Sequence, residues 1–328
     1  MKIVISDYKD SMMPLHDNEI TILTAGLPDA EIIIYEYTDE KRDEFISLLS
    51  DADALLTAFI RLDAQFFSRA KNLRVVSINA TGYDNVDLSA ATAHGVGICP
   101  VAEYCTRDVA EHTIALMLAL NKNLKSYTYD IEQNYCWRYD FPRRPERIEM
   151  QTLGIFGLGK IGSQVARLAK ALGMRIIAVD PAVTPERACS IGVEMVTPED
   201  IWQKADVITN HMNLGNTNVA YFTIKEFAQM RRNPIFLNLG RGLSVDEAAL
   251  AEALDRGLVR GVGLDVLNDE TPQLAGHPLA RRANVIITPH SAFYSTQSMT
   301  ELQRISCDNI VNFLTGHCMD VFRLVNEV

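Results

Sequence analysis

The stretch Thr152-Leu153-Gly154-Ile155-Phe156-Gly157-Leu158-Gly159-Lys160-Ile161-Gly162 reads as an apolar strand, a glycine-rich turn and the start of a helix that runs on to Leu172. Gly157 permits the tight turn. A side chain at Gly159 would obstruct a pyrophosphate, and one at Gly162 would push the helix off the strand. The free N–H groups at the helix start face the phosphates, with the helix dipole behind them. The same spacing can also shape a plain loop, so context has to carry the reading. Here a strand precedes, a helix follows, and Asp180 closes the next strand, Arg175–Val179. A carboxylate at that point accepts both ribose hydroxyls and repels a 2′-phosphate, which favours NAD over NADP.

Downstream, Val207–Thr209, Ile235–Leu237, Gly261–Leu264 and Val285–Thr288 read as further strands. Start signals mark the helices between them. Thr184-Pro185 and Thr197-Pro198 put a capping residue before a proline at the first helical position, and Thr223…Glu226 and Ser244…Glu247 have capping-box spacing. Upstream, Ile3–Ile5, Glu31–Tyr35, Ala54–Thr57 and Arg74–Ile78 alternate with helices expected at Asp17–Ala25, Glu40–Leu49 and Ala64–Ala70. Such alternation implies mostly parallel sheets with helices on their faces. Between the two series, Arg107–Leu120 carries Ala110, Ile114, Leu116, Met117 and Leu120, so the helix is expected to be buried on most sides, with a second subunit as one partner. Lys122–Met150 is polar, aromatic and Arg-rich, contains Pro142 and Pro145, and reads as a connecting arm. An amphipathic helix, Ser298–Leu314, closes the chain.

The 328 residues suit two domains, and 48% are apolar, enough for a core in each. A net charge of −11 disfavours nucleic acid as a partner. No apolar run approaches the roughly 20 residues that cross a bilayer, so no membrane partner is expected. Met1–Asp7 reads as a first buried strand rather than a signal peptide. The six cysteines are scattered without a CxxC pair, which fits reduced thiols of a cytoplasmic protein and argues against a structural metal site.

Polar residues follow three more strands: Arg241 in Asn238-Leu239-Gly240-Arg241-Gly242, Asp265 with Glu270 beyond it, and His290 in Thr288-Pro289-His290-Ser291. In open α/β sheets, residues just past the carboxyl ends of strands line the ligand crevice. Their chemistry is complementary. The arginine fork holds a carboxylate with two hydrogen bonds, an imidazole gives and takes a proton near neutrality, and a nearby acid favours its protonated form. Taken singly, each has a bland alternative: a capping arginine, a solvated acid, a strand-end histidine. His16, His94 and His317 read as surface residues, His112 as part of the long helix and His277 as part of a loop before Pro278. His211, after Val207–Thr209, reads as a wall of the cofactor crevice.

Thr81-Gly82-Tyr83-Asp84-Asn85-Val86-Asp87, Val109-Ala110-Glu111-His112, the glycine turn, Arg241-Gly242, Leu264-Asp265-Val266 and Thr288-Pro289-His290 occur together and in order. With them the chain resembles the D-isomer-specific 2-hydroxyacid dehydrogenases over nearly its whole length. The resemblance implies two Rossmann-like or flavodoxin-like α/β domains with parallel sheets and the cofactor in the cleft between them. Residues 1–100 and 296–328 would form the substrate domain and residues 101–295 the NAD-binding domain. It also implies a homodimer formed largely through the NAD domains. Arg241 would hold the carboxylate and carbonyl of a small 2-oxo acid, His290 would be the acid/base, and Glu270 would raise its pKa. Asp265 would lie near the nicotinamide. Gly157, Gly159, Lys160, Ile161, Gly162, Asp180 and His211 would complete the cofactor site, and the backbone of Thr81 and Gly82 would also grip the carboxylate.

Within the family, His290-Ser291-Ala292-Phe293-Tyr294-Ser295 is similar to the D-lactate dehydrogenase group and to the corepressors called C-terminal binding proteins. The aromatic pair, Tyr294 included, suggests an apolar pocket for a lactate-like or larger side chain. Three departures stand out: Asn213 where the family has proline, Thr271 before Pro272 after the acid, and Gly240 before the arginine. The activity so implied is an NAD-dependent oxidoreductase interconverting a 2-oxo acid and a D-2-hydroxy acid. An NAD-sensing interaction protein and a phosphoglycerate dehydrogenase are the alternatives.

Overall fold

Short aliphatic runs, most of them buried on both faces, become parallel strands, and the helices between them cover the sheets. The computed structural model describes residues 1–9, 16–101, 103–140 and 144–328, so Pro142 lies outside the described residues. The chain divides into two compact units, one of Met1–Tyr104 with Ser295–Val328 and one of Cys105–Tyr294.

The first unit contains β1 (Lys2–Tyr8), α1 (Asp17–Gly26), β2 (Glu31–Tyr37), α2 (Arg42–Leu49), β3 (Ala54–Thr57), α3 (Ala64–Arg69), β4 (Val75–Ile78), α4 (Leu88–Ala93) and β5 (Gly97–Pro100). Its sheet runs β2-β1-β3-β4-β5, parallel throughout, the order of flavodoxin-like sheets. β3, β4 and β5 are buried along their whole length, as expected of strands covered on both faces. Asp63 and Asp87 cap α3 and α4 by accepting from Phe66 N and Ala90 N.

The second unit opens with α5 (Thr106–Asn121) and α6 (Leu124–Asn134). There follow β6 (Thr152–Phe156), α7 (Lys160–Ala171), β7 (Arg175–Val179), α8 (Pro185–Ser190), β8 (Glu194–Met195), α9 (Pro198–Lys204) and β9 (Val207–Asn210). Then come α10 (Ile224–Gln229), β10 (Ile235–Asn238), α11 (Glu247–Asp255), β11 (Gly261–Leu264) and β12 (Val285–Ile287). Its sheet order is β12-β11-β10-β9-β6-β7-β8, the doubly wound Rossmann order with its switch between β6 and β9. Phe156 of β6 is fully buried, stacked on Trp202 at 4.8 Å and edge-on to Phe222 at 5.2 Å. Burying such a ring stabilises by roughly 1.5–3 kcal/mol, and it fixes the strand from which the glycine turn departs.

α12 (Thr296–Leu314) returns to the first unit, where Cys307, Ile310, Phe313 and Leu314 join Ile3, Ile5 and Val75 in one core. Ser295 caps it by accepting from Ser298 N.

Three expectations are revised by the structure. The arm after Lys122 contains a helix, α6, bounded by left-handed residues Asn123 and Tyr135 and pinned by Lys125 Nζ, which donates to the carbonyls of Arg282 (2.9 Å) and Val285 (2.5 Å). β5, β8 and α4 are additional elements. The cap of α11 is Asp246, which accepts from Ala249 N at 3.0 Å, so Ser244 and Glu247 do not form the capping box that their spacing suggests. On α5 the exposed residues Arg107, Glu111 and Ala115 form one stripe, and the rest of the helix packs inward.

Candidate active site

The glycine turn has the form that the sequence requires. Gly157 adopts φ +87°, and a Cβ there would press on the backbone of His211 and Met212 at 2.8 Å. A Cβ on Gly162 would collide with the carbonyl oxygen of Gly157, so α7 packs against the turn only because residue 162 has no side chain. A Cβ on Gly159 would meet nothing within 4 Å among the described residues, which leaves an open approach to the start of α7. The geometry fits a pyrophosphate at a helix N-terminus. Lys160 and Ile161 occupy the first turn of α7, Lys160 exposed and Ile161 half-buried.

Asp180, just past β7, faces this turn. Its Oδ2 accepts from Leu158 N at 2.7 Å and its Oδ1 from Ala182 N at 2.8 Å. A carboxylate has about four acceptor positions, so these bonds brace the turn and leave capacity for ribose hydroxyls. His211 follows β9 on the other side of the switch point. Its Nε2 lies 3.0 Å from Thr209 Oγ1, and its Nδ1 is buried without a partner among the described residues. Burial pushes its pKa down to about 3, so the ring is neutral at physiological pH.

Past β10, β11 and β12 the polar residues assemble as one cluster. His290 Nδ1 lies 2.8 Å from Glu270 Oε2. That hydrogen bond holds the Glu270 carboxyl below the usual carboxylate range against partial burial, with the charges of His290 and then Arg241 adding to the effect. Arg241 is half-buried, and its Nη1 donates to Gly240 O at 3.0 Å. Phe293 meets the His290 ring edge-on at 6.3 Å, while Tyr294 is 65% exposed. Thr81, exposed, and Gly82, half-buried, lie in the first unit on the loop after β4. Asn85 pins that loop by donating to Ala58 O (3.0 Å) and Ile60 O (2.8 Å).

Asp265 shapes the histidine loop. Buried to 2% exposure, it accepts from Thr288 Oγ1 (2.5 Å), Ser291 N (2.9 Å) and Ala292 N (3.0 Å). Its backbone carbonyl accepts from His290 N at 2.8 Å. These bonds hold His290 at φ +48°, a left-handed conformation rare for a residue with a side chain and sustained only where neighbours over-determine it. His112 of α5 joins in through Nε2, 3.1 Å from Thr288 Oγ1.

A second buried network holds the arginine. Asn210 Nδ2 donates to Asn238 Oδ1 (2.9 Å) and Ser244 Oγ (2.8 Å), while Asn238 Nδ2 (3.0 Å) and Ser244 Oγ (2.6 Å) donate to Arg241 O. Sequence reasoning missed Asn210 and misassigned Ser244. The available signal was an asparagine ending each of two buried strands, β9 and β10. The same network accounts for Gly240, whose Cβ would stand 3.0 Å from Met212 O and 3.3 Å from Asn210 Nδ2. Thr271 donates to Asp269 Oδ1 through its N–H (2.9 Å) and hydroxyl (3.2 Å), which engages Asp269 and leaves Glu270 to the histidine.

The model of the D-isomer specific 2-hydroxyacid dehydrogenase NAD binding domain matches residues 114–292, more than half of the chain. The chain belongs to this family. Its cofactor is NAD, since the matched domain is the family's NAD-binding one. The chain is 33% identical over 320 residues to D-3-phosphoglycerate dehydrogenase of Methanocaldococcus jannaschii, covering 96% of this chain and 58% of that protein. The chain thus spans little more than half the length of the first curated relatives that it matches. It is 31% identical over 287 residues to glyoxylate reductase of Aeropyrum pernix, covering 86% and 85% of the two chains. D-lactate dehydrogenase from Aquifex aeolicus, solved with NAD and lactic acid, superposes with a TM-score of 0.84 over 99% of each chain at 24% identity, a likeness of fold.

Proposed function

We propose that the protein is an NAD-dependent reductase of small 2-oxo acids that forms D-2-hydroxy acids, with His290 as the acid/base, Glu270 as its partner and Arg241 as the carboxylate grip. The observation that carries this reading is the 2.8 Å contact between His290 Nδ1 and Glu270 Oε2, beside Arg241 and past the carboxyl ends of the NAD-domain strands. With Nδ1 committed to Glu270, Nε2 is the ring nitrogen available to substrate; among the described residues it has no hydrogen-bond partner. NADH, when bound, supplies the hydride.

Each side chain then has a defined task. Arg241 orients the acid by two parallel hydrogen bonds and places the C2 carbonyl. His290 holds a proton on Nε2 and gives it to the carbonyl oxygen as negative charge develops there; in the reverse direction it takes that proton back. Glu270 favours the protonated ring and fixes its orientation. Asp180 on the ribose selects NAD over NADP. Asp265, whose oxygens serve the histidine loop, acts on the cofactor side through that loop.

Phe293 and Tyr294 beside His290 support a lactate-like or larger apolar side chain on the substrate. NADH oxidation with glyoxylate, pyruvate, phenylpyruvate and 3-phosphohydroxypyruvate tests the reading. Turnover of the first three supports it, preference for the phosphorylated acid favours phosphoglycerate oxidation, and tight NADH binding without any turnover favours an NAD-sensing interaction protein. A homodimer is part of the proposal. Tyr135, Trp137 and Tyr139, each about nine-tenths exposed (91, 91 and 87%), give the arm an apolar surface that a second copy would cover. Sedimentation velocity reports this directly.

A further inference from the structure

Glu270 reaches His290 from a segment that has little of its own to hold it. From Asn268 to Gly276 every residue but Pro272 is exposed, whereas Leu267 and Leu279 on either side are buried. A loop with few apolar contacts opens easily unless polar ties close it. Here one carboxylate ties both ends. Glu247, the first residue of α11, accepts from Asn268 N through Oε1 at 2.7 Å, and its Oε2 lies 3.2 Å from His277 Nε2. His277 Nδ1 accepts from Leu279 N at 3.3 Å, so the ring proton sits on Nε2 and is donated to Glu247. Both side chains are largely buried, 19% and 11% exposed.

The tie also reaches the arginine. A Cβ on Gly242 would overlap the carbonyl of Leu267, so the Arg241-Gly242 backbone lies directly against the Leu267-Asn268 peptide that Glu247 holds. Asp246 already caps α11, and Glu247 is therefore not needed for the helix start.

We infer that Glu247 and His277 are positioning residues, which close the 268–277 loop on one carboxylate and so hold Glu270 against His290 beside Arg241. This rests on the acid–base reading above. Removal of Glu247 frees the Asn268 amide and lets Glu270 leave the imidazole, which lowers kcat without weakening NADH binding.

The test joins hydrogen exchange to a double-mutant cycle, with whichever of glyoxylate, pyruvate and phenylpyruvate turns over fastest. In Glu247→Ala, exchange is expected to rise in peptides covering 268–277 while β10 and β11 stay protected. Turnover should fall about tenfold or more, most at alkaline pH, with NADH affinity within about twofold of wild type. In a Glu270→Gln background the same change should cost little further, because it acts through Glu270. His277→Ala, which keeps the Asn268 tie, should give a smaller loss of the same kind; it serves in the cycle if Glu247→Ala does not fold. Unchanged exchange in 268–277, or an equal loss with and without Glu270, overturns the inference. If Glu270→Gln alone leaves the pH profile unchanged, the acid–base reading fails and the inference with it. A profile altered in Glu270→Gln but wild-type in Glu247→Ala removes the tie alone.

Discussion

His290 presents Nδ1 to Glu270 at 2.8 Å while its own backbone N–H is held by Asp265 O at 2.8 Å. One acid thus sets the ring and another sets the loop. The ring orientation leaves Nε2 as the nitrogen that would meet substrate under the proposed reading.

Replacing His290 by Ala removes the proposed proton donor and leaves the glycine turn untouched. Reduction should slow by about 10²–10⁴-fold, the usual contribution of acid–base catalysis. NADH affinity, read by fluorescence titration, should stay at the wild-type value. Equal turnover in mutant and wild type would take His290 out of the reaction.

Glu270 sits below the ordinary carboxylate range because of its hydrogen bond to His290, and it is therefore ionised throughout the neutral range. An ionised partner favours the imidazolium that reduction needs. In Glu270→Gln the alkaline limb of the reduction profile should accordingly move to lower pH, so the loss is larger at alkaline than at acidic pH. In oxidation, which needs the neutral ring, the acid limb should move to lower pH as well, so the variant is again least impaired at acidic pH. Coincident profiles for mutant and wild type in both directions would contradict the assignment.

Asp180→Ala should raise kcat/KM with NADPH relative to NADH, because the charge that repels a 2′-phosphate is gone. Since Asp180 also accepts from Leu158 N and Ala182 N, NADH affinity should fall as the turn loosens. An unchanged NADH to NADPH ratio would place the ribose elsewhere.

Gly162→Ala introduces a Cβ into the carbonyl of Gly157. The helix must move from the turn, and NADH affinity should drop about tenfold or more, with an overpacking cost of about 1–3 kcal/mol in stability. Titration calorimetry and urea unfolding measure the two effects. Wild-type affinity in a folded Gly162→Ala protein would show that the turn does not hold the cofactor.

The sequence made the strands of both sheets legible where aliphatic runs were continuous, as at Leu153–Phe156 and Gly261–Leu264. It hid β8, only two residues long, and α6, whose exposed Leu124, Tyr129 and Ile131 blur any apolar face. In the candidate site, Arg241 and His290 stood out because each follows a strand end beside glycine or proline, and Glu270 because it comes five residues after Asp265, the step that the family resemblance implies. The supporting residues were harder to see. Ser244…Glu247 carries the spacing of a helix cap, yet the two side chains serve Arg241 O and the loop of Glu270. Local spacing describes a turn, while the bonds of Glu247 to Asn268 N and of Ser244 to Asn210 join residues 21 and 34 positions apart, which only the folded sheet brings together. Asn210 and His277 were hidden for the same reason.

The most direct measurement compares NADH oxidation by wild type and Arg241→Gln with glyoxylate, pyruvate and phenylpyruvate. If Arg241 grips the acid beside His290, wild type turns over at least one of them, and the variant loses roughly a hundredfold or more in kcat/KM while still binding NADH. Equal turnover by the two proteins, or none by wild type despite bound NADH, would contradict it.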